Sequence, residues 1–219
     1  MNALIISGGS LDMEFALSYI RNYSFACMIA ADKGMKFFYE QKIIPDYIVG
    51  DFDSADPKIL QSFQEFSDKE GRPEILQFQP EKDETDTELA IRIAILQGCD
   101  VIHLLGATGN RVDHVIGNLH LLGAAMKHGV ECRMVDRNNR IRLVCQGITL
   151  KRERQYGNYV SLFPFTPQVK GLTLRGFKYP LENYTLECYH SLGVSNEIVA
   201  KEAEILFRDG VLLIVEAKD

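Results

Sequence analysis

The hydrophobic period of this chain changes once, and that change limits the fold more than any other feature. Through residue 139, short apolar runs alternate with amphipathic stretches; after about residue 140 only short runs remain. Strands are predicted at Ala3–Ser7, Phe25–Ala31, Tyr47–Val49, Ile75–Phe78, Val101–Leu105 and Arg133–Val135. Helices are predicted at Asp12–Arg21, Met35–Gln41, Asp56–Phe66, Asp86–Gln97 and His114–His128. Strands separated by helices pair in parallel through right-handed crossovers, so residues 1–138 are expected to form an α/β domain with a Rossmann-like parallel sheet.

The second pattern consists of runs rich in β-branched and aromatic residues. They are Arg140–Cys145, Ile148–Lys151, Tyr159–Pro164, Gly171–Leu174, Tyr184–Leu186, Ile198–Ala203 and Val211–Glu216. Gly147, Gly157, Pro167, Gly176, Pro180, Gly193 and Gly210 punctuate them, as in an antiparallel sandwich. Residues 139–219 are expected to form a C-terminal all-β sandwich, joined closely to the first domain near residues 137–141. No repeat, low-complexity segment or long linker intervenes.

Charge separates along the same division. The 219 residues carry 24 Lys+Arg and 30 Asp+Glu, a net charge of −6, which argues against nucleic acid as a partner because that binding needs surplus cations. Residues 1–139 hold 13 basic and 21 acidic side chains, net −8, whereas residues 140–219 are net +2. The acidity therefore belongs to the α/β part. The five cysteines, Cys27, Cys99, Cys132, Cys145 and Cys188, are widely spaced with no CxxC pair, which points to free thiols in a reducing compartment. The N-terminus has no basic leader, and the longest uncharged helical stretch, His114 to Met126, is too short to span a bilayer. A cytoplasmic protein without membrane contact is expected.

In an open parallel sheet, ligands bind where strands run into helices. The first strand ends at Ser7-Gly8-Gly9-Ser10, the second at Asp32-Lys33-Gly34 and the third at Gly50-Asp51-Phe52-Asp53-Ser54. The fourth runs into Lys82-Asp83-Glu84-Thr85-Asp86, and the fifth into Gly106-Ala107-Thr108-Gly109-Asn110-Arg111-Val112-Asp113-His114. Six aspartates, Asp32, Asp51, Asp53, Asp83, Asp86 and Asp113, thus meet at one edge. Their mutual repulsion calls for a cation, and Mg²⁺ suits a few carboxylates with positions left for phosphate oxygens. Asp51 and Asp53, two apart in extended chain, can aim at one side, and Asp86 follows the capping sequence Thr85-x-x-Glu88. These three are the expected metal ligands.

The Gly8-Gly9 and Gly106/Gly109 loops offer bare backbone to phosphate, and Arg111 offers a bidentate cation; His114 is the one histidine in a candidate loop. Simpler roles compete. Asp12 and Asp56 suit helix caps, Arg111 and Asp113 can form a surface ion pair, and His103, His120, His128 and His190 suit structural or solvated positions. No GxxxxGK[ST] or GxGxxG is present, which removes a P-loop ATPase and weakens a dinucleotide fold.

Several pieces together resemble the thiamine pyrophosphokinase (thiamine diphosphokinase) family. They are Ala31-Asp32-Lys33-Gly34, Gly50-Asp51-Phe52-Asp53-Ser54, Asp83-Glu84-Thr85-Asp86, Gly106 to His114 with Gly117-Asn118, and Gly193-Val194-Ser195-Asn196-Glu197, in order across both halves. The resemblance implies transfer of pyrophosphate from ATP to the hydroxyl of thiamine, giving thiamine diphosphate and AMP. It also implies a homodimer with active sites at the subunit interface. By motif, Asp51, Asp53 and Asp86 resemble its Mg²⁺ ligands. Asp32, Thr108, Arg111 and Asp113 resemble nucleotide-site residues, and residue chemistry itself adds Gly8, Gly9, Asp51, Lys82 and His114 to the expected nucleotide site. Ser195 and Asn196 resemble thiamine contacts, beside Asp86. Two departures stand out: Lys33 and Lys82 occupy positions where members often carry a small residue or Gln, and the Trp that stacks on thiamine in some members is absent, since the chain has no Trp.

The residue chemistry suits such a transfer. Mg²⁺ and cationic groups hold the β and γ phosphates, and Arg111 or Lys82 steadies the departing α phosphate. Asp86 or Asp83 orients or deprotonates the hydroxyl, with Asp83 favoured because a metal ligand is a poor base. The rivals are a Mg²⁺-dependent phosphohydrolase with a DxD site, a non-catalytic nucleotide sensor, and an interaction protein that docks a basic partner on its acidic edge.

Overall fold

The computed structural model describes residues 1–53, 55–79 and 83–219, which divide into two compact units, Met1–Arg137 and Asn138–Asp219. In the first unit the strands are β1 (Asn2–Ile6), β2 (Cys27–Ala31), β3 (Tyr47–Gly50), β4 (Glu74–Gln77), β5 (Val101–Leu105) and β6 (Glu131–Val135). They lie in the order β4-β3-β2-β1-β5-β6 and pair in parallel throughout that series. The helices are α1 (Met13–Ile20), α2 (Met35–Gln41), α3 (Pro57–Glu70), α4 (Asp86–Leu96) and α5 (Val112–Lys127). Strand order reverses at β1, where β2 lies on one side and β5 on the other, so a crevice opens beyond its carboxyl end.

The central strands are apolar on both faces because helices cover them. Leu4, Ile5, Ile6, Ile29, Ile102 and Leu104 are fully buried. Helix starts follow the sequence: Asp12 accepts from the Phe15 amide and Asp56 from the Lys58 amide, both at 2.9 Å, while Thr85 accepts from the Glu88 amide at 3.2 Å. The expected capping roles of Asp12 and Asp56 are met. Helix α3 runs past its expected end at Phe66 to Glu70, where Gly71 turns left-handed and stops it. Helix α5 begins at Val112 with Arg111 as its N-cap, and Asp113 sits inside the first turn. Among the described residues, no helix is long and apolar enough to cross a membrane.

The second unit is antiparallel. Strands β7 (Asn139–Val144), β9 (Tyr159–Pro164) and β13 (Leu212–Ala217) pair in the order β7-β13-β9. Strands β8 (Ile148–Lys151), β10 (Gln168–Arg175), β11 (Leu181–Glu187) and β12 (Glu202–Leu206) form a sheet ordered β11-β10-β12-β8. Leu162 and Ile214 from one sheet share a core with Leu172, Leu186 and Ile205 from the other, which makes a sandwich. Glu216 is also wholly buried, and it is held by Arg140, whose Nε and Nη2 donate to its carboxylate at 2.8 and 2.7 Å.

One expected strand is displaced. Ile198–Ala203 reads as an apolar run, yet the strand is Glu202–Leu206, and Ile198 makes an isolated bridge to Phe177. The amides of Val199 and Ala200 both donate to the Gly176 carbonyl, which holds that stretch in a loop. The true strand carries the two-residue alternation, with Ala203 and Ile205 buried between exposed or half-exposed Glu202 and Glu204.

Candidate active site

Described residues from five strand-end loops of the first unit line one cavity, and backbone contacts tie the first loop to the fifth. The Gly9 amide donates to the Gly106 carbonyl and the Ser10 amide to the Thr108 carbonyl, both at 2.8 Å. A methyl group on Gly9 would lie 2.4 Å from the Gly106 oxygen, so only glycine permits this approach. Asn118, on α5, donates to the Ala107 carbonyl at 2.8 Å and steadies the same loop. After β2, a 3-10 turn at Asp32–Gly34 leads into α2, and a methyl group on Gly34 would stand 1.9 Å from the Ile6 oxygen. Together the loops enclose a cavity of about 730 Å³, a size suited to a nucleotide.

Asp32, Asp51 and Asp86 each bring a carboxylate oxygen to within 4.8 Å of the others, and all three side chains are half-buried. Each comes from a different element: the end of β2, the end of β3 and the first residue of α4. Three anionic oxygens so close repel unless a cation lies among them, and oxygen-only donors suit a hard divalent ion. The residues present therefore fit Mg²⁺.

The third carboxylate differs from the expectation of Asp51, Asp53 and Asp86. That reading took Asp51-Phe52-Asp53 as extended chain, but Phe52 is left-handed (φ 62°) with its ring buried. The chain turns there, and the Asp53 amide donates back to the Asp51 carboxylate at 3.1 Å. Asp53 still lines the cavity, while Asp32, itself at φ 48°, completes the close group.

Gly8, Gly9, Thr108, Arg111 and His114 also line the cavity. Arg111 forks onto Asp113, with Nε at 3.2 Å and Nη2 at 2.5 Å from its oxygens, and the pair is 70% and 64% exposed. The guanidinium holds the Asp113 carboxyl down at about 2. Asp83 is exposed and absent from the cavity lining, and Lys82 lies outside the described residues. His103, expected to be structural, is buried against Tyr19, Tyr23 and Phe25, with Nδ1 2.8 Å from the Tyr19 hydroxyl.

In the second unit, Ser195 is exposed and left-handed (φ 57°), and its amide donates to the Ser161 hydroxyl at 2.9 Å. Asn196 is buried: its Oδ1 accepts from the Tyr179 and Glu197 amides, and its Nδ2 donates to the Tyr179 carbonyl. Beside it lies a small cavity of about 50 Å³ edged by Tyr179, Leu192 and Val194.

Sequence reasoning missed the hydroxyl pair of Ser7 and Thr87, which are 2.6 Å apart, buried, and on the cavity wall. Nothing local signals it, since the two residues stand eighty positions apart.

Comparison with known proteins gives a consistent result. The model of the thiamin pyrophosphokinase catalytic domain matches residues 17–134, and that of the thiamin pyrophosphokinase vitamin B1 binding domain matches residues 146–212. The chain is 32% identical over 191 residues to the thiamine pyrophosphokinase of Bacillus subtilis (strain 168), covering 87% of each. A crystal structure of thiamine pyrophosphokinase from Bacillus subtilis superposes with a TM-score of 0.87 at 28% identity over the whole of both chains. One from Geobacillus thermodenitrificans gives 0.83 at 29%, covering all of this chain and 98% of the other. The Candida albicans protein, at 19% identity, shares the fold with a TM-score of 0.81, over 99% of this chain and 88% of its own.

Proposed function

Because the chain belongs to the thiamine pyrophosphokinase family of enzymes, we propose that its α/β unit binds ATP and Mg²⁺ and passes the terminal pyrophosphoryl group to the hydroxyl of thiamine, releasing AMP. The observation that carries this is the close group of Asp32, Asp51 and Asp86, of which Asp32 and Asp86 line a nucleotide-sized cavity together with Arg111 and His114. Asp32, Asp51 and Asp86 hold the metal, with Asp53 next to them. When bound, Mg²⁺ neutralises the phosphate chain and draws charge from the phosphorus under attack.

The chain's own groups then have distinct tasks. Gly9 commits its N–H to Gly106, so Gly8 is the glycine that approaches phosphate in that loop, with Thr108 on the same cavity. Arg111 exchanges Asp113 for a phosphate oxygen, a trade between two bidentate anions, and steadies AMP as it leaves. His114 and Lys82 add positive charge or donors to the same phosphates. Asp83, outside the metal group, takes the proton from the thiamine hydroxyl as its oxygen bonds to the β phosphorus and the bond to the α phosphate oxygen breaks. The acidic surroundings suit the thiazolium cation, with Asp86 near the ring system.

The second unit supplies Ser195 and Asn196 to thiamine in a homodimer whose active sites lie at the subunit interface. Exposed Tyr179, Tyr189, Leu192 and Val194 give that unit the apolar surface such an interface requires. The protein works in the cytoplasm, where free thiols persist. AMP release measured with ATP and Mg²⁺, with and without thiamine, tests the proposal. Release only with thiamine, abolished by EDTA, supports it; phosphate release without thiamine indicates a phosphohydrolase, and Mg-ATP binding without turnover indicates a sensor.

A further inference from the structure

Ser7 and Thr87 make a buried contact that the proposed chemistry leaves unexplained. Ser7 follows β1, the strand between β2 and β5, and its amide donates to the Leu105 carbonyl of β5 at 2.8 Å. Its backbone is therefore fixed to the middle of the sheet. Thr87 is the second residue of α4, directly after Asp86. The two hydroxyls lie 2.6 Å apart, with 8% and 7% of their residues exposed. Thr85 caps the same turn through the Glu88 amide, but that bond is internal to the helix and does not set where the helix lies. The Ser7–Thr87 bond joins helix to sheet.

We propose that Ser7 and Thr87 are positioning residues, whose hydrogen bond holds the first turn of α4 against the central strand so that Asp86 keeps its carboxylate in register with Asp32 and Asp51. This rests on the metal site proposed above. Mg²⁺ requires short, nearly octahedral contacts, so a small drift of the α4 terminus removes a ligand from range. Groups that orient a ligand affect metal affinity even though they never touch the metal.

The test measures Mn²⁺ binding by electron paramagnetic resonance on the full chain, alongside melting temperature and the Mg²⁺ dependence of kcat and KM. Thr87→Val keeps the shape and loses the hydroxyl; Ser7→Ala removes the partner; Thr87→Ser keeps the hydroxyl. Thr87→Val and Ser7→Ala are each expected to weaken Mn²⁺ binding about tenfold, while Thr87→Ser stays near wild type. The double variant is expected to bind no more weakly than the worse single, because both remove one bond. Should Thr87→Val not fold, Ser7→Ala carries the same expectation. Unchanged Mn²⁺ affinity in the folded variants, or equal losses in Thr87→Ser and Thr87→Val, overturns the positioning role alone. A wild type that binds Mn²⁺ no better than Asp51→Asn overturns the metal site, and this inference with it.

Discussion

Arg111 grips Asp113 through both Nε and Nη2, two residues along the chain, at the rim of the cavity it also lines. The pair is exposed, so Arg111 can leave for a phosphate without uncovering a buried charge, and the His114 amide still donates to Asp113. The depressed Asp113 carboxyl reports which partner Arg111 holds. The pair is present above the ordinary carboxylate range and is lost as pH falls through about 2. In the nucleotide-free protein, the Asp113 carboxyl signal in an NMR titration should have its midpoint at about 2. Arg111→Ala should raise the midpoint toward the ordinary carboxylate range, and Mg-ATP should raise it in the wild type as Arg111 departs. A midpoint indifferent to both contradicts the exchange.

The carboxylate group makes a prediction that a bare DxD motif does not. If Asp32 shares the metal with Asp51, then Asp32→Asn and Asp51→Asn should each lower kcat/KM by about a hundredfold or more, with higher Mg²⁺ demand. Wild-type turnover of either variant at limiting Mg²⁺ removes that residue from the ligand set.

The approach of Gly34 to the Ile6 carbonyl fixes where Asp32 can stand. A methyl group there meets backbone rather than a movable side chain, so Gly34→Ala should cost about 1–3 kcal/mol in urea unfolding. A variant as stable as wild type shows that this turn is free to shift.

Much of this was legible in the chain because its signals are local. The change from helical to strand period, the caps at Asp12, Asp56 and Thr85, and the strand-end loops are each written within a few residues. What was not legible depends on distant partners. The left-handed backbone at Phe52, which spoils the extended Asp51–Asp53 geometry, goes with a ring buried beneath Gly50. Asp32 joined the metal candidates only because β2 and β3 are neighbours and α4 starts beside them. Ile198–Ala203 misled because an apolar run was weighed above the alternation of Glu202 to Ile205. Ser7 and Thr87 have no meaning until β1 and α4 meet.

The thiols offer an independent check on the packing. Cys27, Cys99 and Cys132 are buried, and burial pushes the Cys27 and Cys132 thiols up to about 12, whereas Cys145 and Cys188 are exposed. A chromogenic disulfide reagent at mildly alkaline pH should label Cys145 and Cys188 in the folded protein and reach the other three only after denaturation. Rapid labelling of Cys132 in the native state contradicts the packing around β6.

Pyrophosphoryl transfer itself is tested most directly by mass spectrometry of the products formed from thiamine, Mg²⁺ and ATP labelled with heavy oxygen in its β and γ phosphoryl groups. With the α–β bridging oxygen left unlabelled, attack at the β phosphorus places the whole label in thiamine diphosphate, and AMP leaves with the bridging oxygen and no label. ADP with thiamine monophosphate, or labelled inorganic phosphate formed without thiamine, contradicts it.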